Sequence, residues 1–151
     1  MTRKLRFAVV VFGALALSVP AFAAENWPDS VTAYVGQVRK TVQTTDMDGY
    51  LAAVKNPNGA LLLDVREESE FKAGHVPGAL NVPRGLLEFT LWKKIGYPGP
   101  VDMNRKIFVQ CATGGRATLA AADLKKVGFT NVVAVVMNIA DWEKKGNPFE
   151  K

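Results

Sequence analysis

The clearest feature of the chain is a set of short apolar runs, each followed by residues at helical spacing. Ala60-Leu61-Leu62-Leu63-Asp64-Val65, Lys106-Ile107-Phe108-Val109-Gln110 and Asn131 to Val136 are continuous rather than alternating. Strands buried on both faces read this way. Between them, Glu67, Glu68 and Glu70 precede Lys72 and Gly74, the charge order that complements a short helix dipole. His75-Val76-Pro77-Gly78 is a turn into a short strand, Ala79 to Val82. Leu86, Phe89, Leu91, Trp92 and Ile95 predict an amphipathic helix within Gly85 to Ile95, and Gly96 to Pro100 a rigid loop. Ala117, Ala120, Leu124 and Val127 predict a helix stopped by Gly128, and Ile139 to Lys145 a last one.

Upstream, Val42 to Thr45 is β-prone and Asp46 is placed to cap a helix carrying Tyr50, Leu51 and Val54, closed by the turn Asn56-Pro57-Asn58-Gly59. Glu25 to Val42 gives conflicting signals: Val31, Val35 and Val38 have helical spacing, yet Asn26-Trp27-Pro28-Asp29 reads as an extended lead-in. The alternation of strand and helix predicts an α/β domain with a mainly parallel sheet. Ligands bind such sheets beyond the carboxyl ends of the strands, where Cys111 falls.

The start of the chain has a different character. Arg3, Lys4 and Arg6 precede an apolar run from Phe7 to Val19, then Pro20-Ala21-Phe22-Ala23. The run is well short of the ~20 residues that span a bilayer as a helix. Small residues at Ala21 and Ala23 suit cleavage before Ala24. We expect residues 1–23 to be a signal peptide, 24–41 an N-terminal extension and 42–151 the folded domain, exported to the periplasm without a stable membrane anchor. Without Arg3, Lys4 and Arg6 the net charge of +5 falls to +2, which gives no reason to expect a nucleic-acid partner. With one Cys and one His, neither an internal disulfide nor a zinc site of the usual four ligands is expected.

The sharpest chemical signal is Cys111-Ala112-Thr113-Gly114-Gly115-Arg116, a strand end running straight into a helix. So short a turn lets backbone N–H groups converge on one centre, with the helix N-terminus adding donors and a positive dipole end. Such surroundings favour the thiolate, the nucleophilic form. Arg116 in the first helical turn opposes the dipole and so calls for an anion nearby, such as a bound ligand. A Cys ending an apolar strand is also the pattern of a small buried hydrophobe; the Gly pair and the following helix favour chemistry, and that reading requires a thiol open to solvent.

These residues resemble the rhodanese homology domain. The resemblance is carried by Leu62-Leu63-Asp64-Val65-Arg66-Glu67, Glu70-Phe71, Gly74 to Ala79 and Asn81-Val82-Pro83, then by Cys111 to Arg116, Trp142, Gly146 and Pro148. It spans residues 42–149 and is similar to the stand-alone, single-domain form. It implies a central five-stranded parallel sheet with helices on both faces. It also implies a sulfurtransferase in which Cys111 takes a sulfane sulfur from a small donor as a persulfide and passes it to a thiol, cyanide or protein acceptor. Ala112, Thr113, Gly114, Gly115 and Arg116 would hold the outer sulfur, and no cofactor is implied. Asp64 and Arg66 are expected to be a supporting polar pair, and His75 a turn residue.

The six-residue loop resembles the sulfur-transferring members; phosphatases of similar fold use a longer one, with room for a tetrahedral phosphate. Two departures bear on the donor. Ala112 stands where many members have a basic residue, which makes thiosulfate an expected poor donor. Met137-Asn138 replaces a Gly pair and is expected to narrow the site or reshape its rim. A rhodanese-like interaction or sulfur-delivery module with little small-molecule turnover is the competing reading, with Trp92, Tyr97 and Pro98 as its candidate surface, although Trp92 reads as core and Tyr97 as ordinary loop.

Overall fold

A computed structural model describes residues 27–151. The expected signal peptide and the first residues of the extension lie outside the described residues. The apolar runs form the strands β2 (Leu61–Asp64), β4 (Ile107–Gln110) and β5 (Val132–Val135), joined by the short β1 (Gln43–Thr45) and β3 (Leu80–Asn81). They make one five-stranded sheet in the order β1-β5-β4-β2-β3. Every pairing is parallel.

Side chains alternate across this sheet, as the strand period of two demands. Leu61, Leu63, Ile107, Val109, Cys111, Val132 and Ala134 face one core, closed by α4 (Leu87–Lys94) and α5 (Gly115–Lys126) through Leu87, Leu91, Ala117, Ala120, Ala121 and Leu124. Leu62, Phe108, Val133 and Val135 face the other, closed by α2 (Met47–Lys55) and α6 (Ile139–Lys144) through Tyr50, Ala53 and Trp142. Two faces of apolar burial explain why the strand sequences are continuous rather than alternating. Asp46 caps α2 as expected, accepting from the Gly49 N–H at 2.9 Å. Among the described residues no helix is long and apolar enough to cross a membrane.

One open stretch is settled and one expectation is corrected. The ambiguous stretch near the start resolves into a helix, α1 (Asp29–Arg39), whose Arg39 Nε donates to Thr118 Oγ1 on α5 at 3.4 Å. The amphipathic helix after β3 turns Leu91, Trp92 and Ile95 to the core as predicted, but not Leu86 and Phe89. A single 3-10 turn at Arg84–Leu86 precedes α4, and Leu87 and Leu91 are buried, whereas Leu86 is 53% and Phe89 82% exposed. The physical reason is phase: Leu87 and Leu91 lie one turn apart on the inner side, and the 100° step per residue carries Leu86 and Phe89 away from it.

Candidate active site

Strand β4 ends at Gln110 and hands Cys111 directly to the turn that enters α5. Gly114, at the helix N-cap, has φ +90°, a left-handed conformation that favours glycine. A Cβ there would sit 3.0 Å from Val136 Cα and 3.2 Å from the Val135 carbonyl. The turn is thus pressed against the end of β5. Its carbonyls are tied outward: Ala112 O accepts from Ile139 N–H at 2.9 Å, and Gly114 O accepts from Thr118 N–H at 3.0 Å and Thr118 Oγ1 at 2.7 Å. With those carbonyls engaged, N–H groups face the sulfur. Cys111 Sγ accepts from Gly114 N–H at 3.2 Å and Ala117 N–H at 3.4 Å. Gly115 and Arg116, in the first helical turn, have no carbonyl a turn earlier to bind.

Cys111 is only 2% exposed. The expectation of an open thiol is therefore not met, because the face of β4 that carries Val109 and Cys111 packs into the core under α5. The sulfur lies inside its loop, whose outer residue Thr113 is exposed and whose Ala112 and Gly115 are half-exposed.

Arg116 has its anion, and it belongs to the chain. Its Nη1 and Nη2 donate to Glu70 Oε2 at 2.7 Å and Oε1 at 2.8 Å, a two-pronged pair between half-buried side chains. The call for an anion at this position is answered by Glu70 rather than by a bound ligand. The Arg116 hydrogen bonds hold the Glu70 carboxyl below the usual carboxylate range, against the opposing effect of burial. Glu70 in turn pushes Arg116 above its ordinary value, and negative charge at Cys111 acts in the same direction.

Glu70 is itself fixed in place. It stands in the first turn of α3 (Glu68–Ala73), where its side chain accepts from the Glu67 N–H at 3.0 Å in a capping box. Below it, Asp64 and Arg66 form the buried polar pair: Arg66 Nη2 donates to Asp64 Oδ2 at 2.6 Å, and Arg66 N–H to Oδ1 at 2.9 Å. Arg66 also reaches the carbonyls of Glu70 at 3.3 Å and Gly74 at 2.8 Å. A buried guanidinium so fully satisfied holds the β2–α3 turn rigid. The sequence reading missed Glu70 as a site residue. Its helix-opening position explained the acid locally, and only a tertiary contact with Arg116 shows its second role.

Other residues take structural places. His75 stacks on Phe71 at 3.8 Å, with Nδ1 3.0 Å from the Phe71 carbonyl. Met137 is buried in the core with Trp142, and Asn138 caps α6 by accepting from Ala140 N–H at 2.9 Å. Trp92 stacks on Phe129 at 5.6 Å, while Tyr97 is exposed. On the α2 side, Gln110 and the Tyr50 hydroxyl are buried without a protein partner among the described residues. Burial first, and the Asp64 charge second, push the Tyr50 phenol up.

Residues 47–145 match the family model described as a rhodanese-like domain. The chain belongs to that family. A chloroplast protein of Arabidopsis thaliana named thiosulfate sulfurtransferase 16 is 38% identical over 98 residues, covering 60% of this chain and 79% of its own. A Saccharomyces cerevisiae thiosulfate:glutathione sulfurtransferase is 27% identical over 136 residues, covering 80% and 95%. A Bacillus subtilis relative is longer, and this chain spans 53% of it. The solution structure of a polysulfide-sulfur transferase homodimer from Wolinella succinogenes superposes with a TM-score of 0.66 at 23% identity, covering 81% of this chain and 88% of that one, which shows the shared fold. Family membership and these relatives support sulfur transfer as the general activity of this rhodanese-like domain.

Proposed function

We propose that the protein is an exported sulfurtransferase that carries sulfane sulfur as a persulfide on Cys111. The observation that carries this reading is the sulfur held between the Gly114 and Ala117 N–H groups at the head of α5. Donors aimed at Sγ favour negative charge there, first on the thiolate and then on the outer persulfide sulfur. In the first half-reaction the Cys111 thiolate attacks the sulfane sulfur of a donor. A new S–S bond forms, and the old bond breaks with its electron pair leaving on the donor fragment. In the second, an acceptor thiolate or cyanide attacks the outer sulfur and restores the Cys111 thiolate. No oxidant or reductant is consumed, and the two steps make ping-pong kinetics the expectation. With Cys111 only 2% exposed, attack on a donor requires the turn around it, whose Thr113 is exposed and whose Ala112 and Gly115 are half-exposed, to admit the donor to Sγ.

Intact-mass spectrometry of protein from the periplasmic fraction tests both parts of the proposal. The expected species begins at Ala24 and gains one sulfur atom on exposure to a sulfane donor, a gain lost in Cys111→Ser. A chain still carrying residues 1–23 overturns export with cleavage, and a wild-type chain that gains no sulfur from any donor overturns the persulfide. Sulfur that loads onto Cys111 but is not released to cyanide or glutathione marks a delivery module rather than a small-molecule enzyme.

A further inference from the structure

We infer that Glu70 sets the charge of the sulfur donor, and that the site takes sulfane compounds of low charge, such as arylthiosulfonates and alkyl persulfides, in preference to a dianion. The inference rests on the sulfur-transfer reading of Cys111. Arg116 lies next to Ala117, whose N–H touches Sγ. It is the one cation in the turn from Cys111 into α5, and both of its terminal nitrogens are engaged by Glu70.

Glu70 is no loose surface partner. Its carboxylate also accepts from the Glu67 N–H and its carbonyl from Arg66, so α3 and the buried Arg66 hold it against Arg116. Nearby, Arg66 is neutralised by Asp64, and the charge of Glu67 is also felt at Arg116. Carboxylates therefore outnumber guanidiniums around the site. What remains electropositive is the helix end and its amides, a fractional charge. Thiosulfate brings two negative charges to this place and leaves as sulfite. An arylthiosulfonate brings one and leaves as a sulfinate, by the same displacement at the sulfane sulfur.

The test is kcat/KM for thiosulfate and for benzenethiosulfonate, with cyanide as acceptor, in wild type, Glu70→Gln and Glu68→Gln. Glutamine keeps an oxygen for the capping box and removes the charge that occupies Arg116. The ratio of the two donors within one preparation cancels any inactive fraction. Glu70→Gln is expected to raise the thiosulfate to benzenethiosulfonate ratio by about fivefold, through the KM for thiosulfate, with the gain shrinking as salt is added. Glu68, exposed and paired with Lys72 on the same helix, is expected to leave the ratio unchanged. A ratio unmoved by Glu70→Gln, or moved equally by Glu68→Gln, overturns the inference while leaving sulfur transfer standing. A wild-type chain that takes sulfur from neither donor and forms no Cys111 adduct overturns both.

Discussion

At the scale of single residues, the site depends on one backbone conformation as much as on one sulfur. Gly114 combines φ +90° with a carbonyl that anchors the first turn of α5 and an N–H that points at Sγ. Gly114→Ala meets two obstacles, since the conformation is costly for any side chain and the added carbon would lie 3.0 Å from the backbone of Val136. We expect a loss of about 1–3 kcal/mol in denaturant unfolding. Persulfide formation should fall by about tenfold or more, because the amides no longer converge on the sulfur. Unchanged stability and loading would show that the turn does not need this geometry. Cys111, the Gly pair and the strand before them were legible in sequence because the signal is local. Glu70 was not, since its contact with Arg116 joins two helices far apart in the chain, and no period or spacing reports such a pair.

At the scale of elements, legibility follows how strongly burial is written into each segment. β2, β4 and β5 are buried on both faces, so nearly every residue in them is apolar and their positions could be read directly. α1 was ambiguous because its apolar residues do not mark a buried face: Val31 and Tyr34 are exposed. α4 was recognised as a helix with Leu91, Trp92 and Ile95 inward, but Leu86 and Phe89 were placed on that face and Leu87 was not, because exposed and buried apolar residues are neighbours here in sequence. This correction has a measurable consequence. Leu87→Ala removes a fully buried side chain from the core shared with Cys111 and should cost about 2–4 kcal/mol. Phe89→Ala removes an exposed ring and should cost less than about 0.5 kcal/mol. Chemical denaturation of the two variants checks this, and equal losses would mean that Phe89 packs as Leu87 does.

At the scale of the whole molecule, the strand order places β4 in the middle of the sheet, so Cys111 emerges between the ends of β2 and β5. The end of β2 supplies Asp64 and Arg66, α3 supplies Glu70, and α5 supplies Arg116. A chain of charged contacts thereby clamps the segment after β2 onto the helix that carries the Sγ-facing amides. Such a clamp should respond to acid in a defined direction. The Glu70 carboxyl is held below its ordinary value by hydrogen bonding to Arg116. A group depressed in the folded state contributes stability that is present above its unfolded value, about pH 4.3, and lost as pH falls through the lower folded one. Other carboxylates weaken the fold in acid as well, so the informative quantity is a difference between proteins. Glu70→Gln should be less stable than wild type near neutral pH, with the gap closing as pH is lowered from about 5 to about 3. Urea unfolding of both proteins across that range measures it. A gap that stays constant with pH would mean that the carboxyl acts through packing or its helix cap alone, and that the charged clamp on Arg116 contributes nothing to holding the loop.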